Sequence, residues 1–261
     1  MRESDWSSDV CSSDLDGLME RSRAVKAARR LQFAPSRVAT PHPACLMPSS
    51  PHSSLTETSP LPNGIREDVV LQDTVRWLER AVIGLNLCPF AKGVHVKRQV
   101  HYVVSPAAGS QALLGDLRRE LLALNAISAE ERDTTLLIAP ACMQDFLDFN
   151  DFTALADDLI EELELDGILQ VAFFHPQFQF AGTQADDVSN CTNRTPYPTL
   201  HLLREESIDR AVAVFPEADA IFERNIEVLE GLGPQGWADL DVGPRCPMHA
   251  QPSVNGQGEH A

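Results

Sequence analysis

Apolar positions along the central part of the chain alternate between two periods. In "VVLQDTVRWLERAVIGLNL", Val70, Val75, Leu78, Val82, Ile83 and Leu85 fall near helical spacing, and Pro89 turns the backbone out of the helix close to Cys88. "RQVHYVVS" then brings β-branched and aromatic residues, and "SQALLGDLRRELLALNAI" returns to a helical period with Leu114, Leu117, Leu121 and Leu124 on one side. Next, "TTLLIAP" is a short apolar run bounded by Asp133 and Pro140, "QDFLDFNDFTALADDLIEELEL" reads as a helix, and "GILQVAFFHP" reads as the most buried strand. A loop rich in Asp, Asn and Gly follows, and helices are expected to start near Thr195, Ile208 and Ala218.

The order α-β-α-β-α-β-loop-α-α-α predicts one α/β domain over residues 68–233, with a small, largely parallel sheet covered by helices. Near-continuous apolar strands joined by helices favour parallel pairing, because each crossover covers a face of the sheet. No internal repeat interrupts the pattern, and no apolar run approaches the ~18 residues of a membrane span.

The flanks look different. Residues 5–15, "DWSSDVCSSDL", have neither period, and one reading frame of a common sequencing adapter translates to those residues without a mismatch. Residues 1–18 are therefore expected to be adapter-derived. Residues 19–67 read as upstream translation or a Pro-, Ser- and Thr-rich disordered leader, with Met47 favoured over Met19 as the start. Residues 234–261 lack periodicity and read as a disordered tail.

Charge narrows the function classes. The chain carries a net charge of −17, a field that repels nucleic acid and anionic membrane, so neither is an expected partner. Of its cysteines, Cys88, Cys142, Cys191 and Cys246 are widely spaced and form no CxxC pair, as suits reduced thiols in a cytoplasm. The oligomeric state has no signature.

Candidate chemistry concentrates between "FHPQFQF" and "NRTPYPTLHLLRE". Thr195 before Pro196 has the form of a helix cap followed by a first-turn proline. Arg194 and Asn193 beside that helix start would make an anion site, with Tyr197, His201 and Glu205 along one helical face and Arg204 at its edge. Alternatively, Arg194 pairs with Asp186 or Asp187 and the helix is simply capped. His175 closes the third predicted strand. Cys88, in "NLCPFAKG", is the thiol best fixed by its backbone, although a helix C-terminus opposes a thiolate. His175, His201, Asp186, Asp187 and Cys191 match no metal-ligand spacing, so no metal site is assigned, and no cofactor is indicated.

"WLERAVIGLNLCPFA", "LLIAP", "QVAFFHPQFQFAG" and "NRTPYPTLHLLREESIDRAV" together resemble the bacterial proteins grouped as domain of unknown function 1415, from about Thr74 to Leu232. The resemblance implies one intact domain and a bacterial cytoplasmic source, and it carries no activity, cofactor or catalytic residue with it. Two readings stand. One is an enzyme acting on a small anionic metabolite, with Asn193, Arg194, Thr195, Tyr197 and Arg204 holding the ligand and Cys88, His175 and His201 as catalytic candidates. The other is a non-catalytic small-molecule-binding or assembly protein in which those polar residues are structural.

Overall fold

The computed structural model describes residues 61–214 and 220–244. Of these, 61–179 and 183–244 fall within one compact unit, which holds every helix and strand of the described residues. The expectations for residues 1–60 and 245–261 lie outside the described residues.

The chain begins with α1 (Glu67–Trp77), which continues directly into a π-helical turn, Leu78–Ile83. A short α2 (Ala91–Val96) leads to β1 (Val100–Val104). Then come α3 (Ser110–Ala126), β2 (Thr134–Ile138), α4 (Phe146–Glu162) and β3 (Leu169–Phe174). A 3₁₀ turn, Val188–Asn193, precedes β4 (Thr199–Arg204), and α5 (Glu205–Val214) and α6 (Ile221–Asp239) complete the domain.

The periods read from the sequence place α1, α3, α4 and the first three strands. α3 forms because Leu113, Leu117, Leu121 and Leu124 recur on one face, and all four are fully buried. α4 starts where the Asp145 carboxylate accepts from the Leu147 and Asp148 N–H groups, at 2.8 and 3.2 Å.

The region after β3 departs from expectation. No helix starts at Thr195; the segment becomes β4, with Arg194 already extended at φ −89°, ψ 130°. The T-P-Y-P spacing explains it. Thr195 and Tyr197 each precede a proline, whose ring pushes both out of the helical region, so the second proline cancels the helix start that the first suggests. "TLHLLR" then alternates as a strand. The next helix begins at Glu205 rather than near Ile208; the start expected near Ala218 lies outside the described residues, and α6 runs from Ile221.

The sheet order is β1-β2-β4-β3. β1 and β2 pair in parallel, with α3 as the crossover that parallel strands require, while β4 inserts antiparallel between β2 and β3. The fold is mixed α/β, and the largely parallel sheet is corrected to one parallel pair beside two antiparallel ones. β3 is likewise not the most buried strand. It lies at the sheet edge and alternates between buried and half-buried positions, whereas every residue of β2 is buried.

α3 and α4 cover one face of the sheet, packing Leu117, Leu121, Phe149 and Phe152 on Leu137, Val171, Leu200 and Leu202. The other face meets Trp77, Leu78 and Ala81 of the α1 and π-helical segment. Residues on both sides of 68–233 also take part in the packing. Leu61 packs with Val70, Ile138 and Tyr197. At the far end, Gly233 takes φ 69°, a value that favours glycine, and kinks α6 ahead of Pro234. The chain remains helical to Asp239, and Val242 is buried with Trp77.

Candidate functional site

A cavity of about 360 Å³ lies on the face of the sheet opposite α3 and α4. Across this face the strand register sets a row, Tyr102, Leu136, His201 and Ala172, one residue from each strand. The row explains the space. Ala172 is the smallest side chain in it and stands beside His201, so the sheet surface dips where β3 and β4 meet. Trp77, Leu78 and Val82 form a second wall, Cys88 and Phe90 line the approach to α2, and Ile208 and Ala211 enter from α5. A π-helical turn that supplies cavity residues fits the frequent use of such turns at functional sites.

The lining is apolar, with few polar groups, and most of those are committed. The Thr134 hydroxyl donates to Leu202 O at 2.5 Å, and that of Thr192 to Ser189 O at 3.0 Å. Ser207 Oγ donates to Asp133 Oδ1 at 2.6 Å, and Asn193 Nδ2 to Phe173 O at 3.3 Å. His201 differs. Its ring leans on Phe174 at 6.0 Å between centroids, yet its nitrogens have no hydrogen-bond partner among the described residues. It is half-buried because it lines the cavity, and removal from bulk water lowers its pKa to about 4, so the imidazole is neutral at pH 7. Burial pushes the Cys88 thiol up, against the weaker opposing pull of the Phe90 and Ala91 N–H groups. No Lys or Arg among the described residues lines the cavity, and Asp133 is its one charged residue.

Of the residues singled out in the sequence, Cys88, Asn193 and His201 come together here. The others do not reach the cavity. His175 is buried on the α4 side, between the rings of Phe146 and Phe149. Its Nε2–H donates to Met143 O at 3.0 Å and its Nδ1 accepts from Gln177 N–H at 3.0 Å, which satisfies both nitrogens of a neutral ring whose pKa burial lowers. Arg194 donates to Phe178 O and Ala185 O at 3.1 and 2.6 Å. Arg204 donates to Leu124 O and Ile127 O at 2.7 and 2.6 Å, binding carbonyls at the end of α3. Thr195 Oγ1 donates to Tyr197 O, and Tyr197 donates to Asp73 Oδ2 at 2.9 Å. With no helix at Thr195, the helix-terminus anion site has no structural basis, and both arginines bind backbone.

A family model described as a protein of unknown function, DUF1415, matches residues 69–239. The chain belongs to this family. No curated protein and no solved structure matches it. The DUF1415 match runs past the kink at Gly233 to the end of α6.

Trp77, Val82, Ala172 and Phe174 were not among the sequence candidates, since each reads as ordinary core in its own element. The alternation of Gln170, Ala172 and Phe174 in the third strand was the available signal that one of its faces is distinct. A smaller cleft, of about 170 Å³, lies beside Arg98, His101 and Arg132 of the DUF1415 domain. Arg132 there pairs with Glu120 at 3.5 Å, and Glu131 also lines the cleft. Among the described residues no group of three His, Cys, Asp or Glu side chains could hold a metal ion, and no helix is long and apolar enough to cross a membrane.

Proposed function

We propose that this domain binds a small molecule in the cavity over the β3–β4 junction, without chemistry of its own. One observation carries the reading: a cavity within the size range of small-molecule sites, apolar over most of its lining, into which a histidine projects with no hydrogen-bond partner among the described residues. Such a ring receives no hydrogen bond from the described residues, so a ligand that enters the cavity can supply one.

Catalysis by Cys88 and His201 has less support. A thiolate–imidazolium pair requires the thiol to be acidic and the ring basic, and burial moves both the wrong way. An anionic ligand is also disfavoured, because the cavity offers no cation.

The test uses the uncharged probe N-phenyl-1-naphthylamine, whose fluorescence rises in apolar surroundings. Titration of the full chain is expected to show saturable enhancement at one site, abolished in Ala172→Leu, which fills the dip beside His201. Enhancement that fails to saturate, or that Ala172→Leu leaves unchanged, would sink the proposal.

A further inference from the structure

We infer that the cavity selects an uncharged ligand with an apolar body and a single hydroxyl, of the phenol or aliphatic-alcohol class, whose hydroxyl pairs with the His201 imidazole. This rests on the binding reading above and specifies its ligand.

Three features lead to that class. The first is size: at about 360 Å³ the cavity lies within the range of small-molecule sites and has room for a fused-ring or short-chain compound. The second is the distribution of polar groups. The hydroxyls of Thr134, Thr192 and Ser207 donate to the protein, as does the amide nitrogen of Asn193, whereas the His201 ring reaches the cavity with no hydrogen-bond partner among the described residues. Its neighbours across the sheet are Leu136 and Ala172, and Phe174 packs against its ring, so a ligand group meeting it is otherwise surrounded by hydrocarbon.

The third is charge. A neutral imidazole offers one donor and one acceptor, and a hydroxyl can answer either role by rotating. A carboxylate offers acceptors only and would enter a site that has no cation, has Asp133 in its lining, and belongs to a chain of net charge −17. A cation could meet only Asp133, which already accepts from Ser207.

Three compounds with the same ring system separate these requirements: naphthalene, 2-naphthol and 2-naphthoate, each used to displace N-phenyl-1-naphthylamine from the full chain. We expect 2-naphthol to displace the probe at roughly three- to tenfold lower concentration than naphthalene, the advantage of one neutral hydrogen bond, and 2-naphthoate to be weakest. In His201→Phe the advantage of 2-naphthol over naphthalene is expected to vanish while naphthalene still competes; in His201→Gln part of it should return.

Equal displacement by 2-naphthol and naphthalene, or an advantage that persists in His201→Phe, overturns the hydroxyl class and leaves the cavity as a binding site. Displacement led by 2-naphthoate overturns the neutral class. If the probe itself does not bind, the binding reading fails as well, which distinguishes the two failures. Nitrogen-15 spectra of the wild-type protein test the same contact without a substitution: 2-naphthol should shift the His201 ring nitrogens and naphthalene should not, and unmoved nitrogens on saturation with 2-naphthol overturn the assignment.

Discussion

Tyr197 donates its phenolic hydroxyl to Asp73 at 2.9 Å, joining the segment before β4 to α1 through residues 124 positions apart. Asp73 also accepts from Arg76 at 2.8 Å, and both of these charged side chains are buried. Arg76 extends the chain of bonds to the carbonyls of Asp241 and Gly243, at 2.6 and 2.8 Å. Three distant stretches of sequence thus share one polar network, placed at the edge of the α1 segment that walls the cavity.

That network predicts unequal costs for its members. Asp73→Ala leaves the Arg76 guanidinium buried beside a lost carboxylate and should destabilise by about 3–5 kcal/mol. Tyr197→Phe removes one hydrogen bond to a charged acceptor and should cost about 1.5–3 kcal/mol. Urea unfolding measures both. A Tyr197→Phe cost within ~0.5 kcal/mol, the scale of a neutral surface change, would show that the phenol does not tie β4 to α1.

Gly84 follows the π-helical turn, and its N–H donates to Glu79 O at 3.0 Å. A Cβ built there would lie 2.2 Å from the Arg80 carbonyl oxygen, a backbone atom that moves only if the turn moves. Gly84→Ala is expected to cost about 1–3 kcal/mol and to weaken N-phenyl-1-naphthylamine binding, because Leu78 and Val82 reach the cavity from that turn. A variant with wild-type unfolding and wild-type binding would mean that the π-helical geometry is not required for either.

Much of this framework was legible in the sequence because it depends on local periods. The leucines of α3 and the apolar run of β2 have one interpretation each. β4 was misread because Thr195 and Pro196 imitate a helix start, and Pro198, two residues later, carries the decisive information. The cavity was less legible still. Its shape depends on Ala172 standing opposite His201, a relationship set by antiparallel register between β3 and β4, and register cannot be read from either strand alone. Arg194 and Arg204 show the converse error, since an arginine beside polar residues suggests a ligand until the carbonyls it binds are in view.

His201 gives the domain a defined pH response. Its folded pKa, about 4, lies below the ordinary imidazole value of 6.5, so between these limits the unfolded chain takes up a proton that the folded chain refuses. The fold is therefore not penalised by this group above pH 6.5 and loses stability as pH falls toward 4, because the folded state resists the charged ring, with a slope of at most about 1.4 kcal/mol per pH unit from this one group. His175, also lowered by burial, acts in the same direction. Unfolding free energies of wild type and His201→Phe, compared from pH 7 to 4.5, should diverge, with the variant less sensitive to acid. Parallel curves would contradict a His201 held neutral by the cavity.

Cys88 supplies a reporter that does not depend on a fluorescent probe. Its thiol lines the cavity and is raised by burial, so the reactive thiolate is scarce and the reagent must enter the site to meet it. Iodoacetamide at pH 7.5 should label Cys88 more slowly than a free thiol. Because the chain has six cysteines, the rate is followed on the Cys88 peptide by mass spectrometry. Saturating 2-naphthol should slow it further, since ligand and reagent compete for the same space, and Ala172→Leu should remove the protection by excluding the ligand. Labelling of Cys88 at the free-thiol rate, indifferent to 2-naphthol, would mean that the thiol opens to solvent by another route and that the ligand, if bound at all, sits elsewhere.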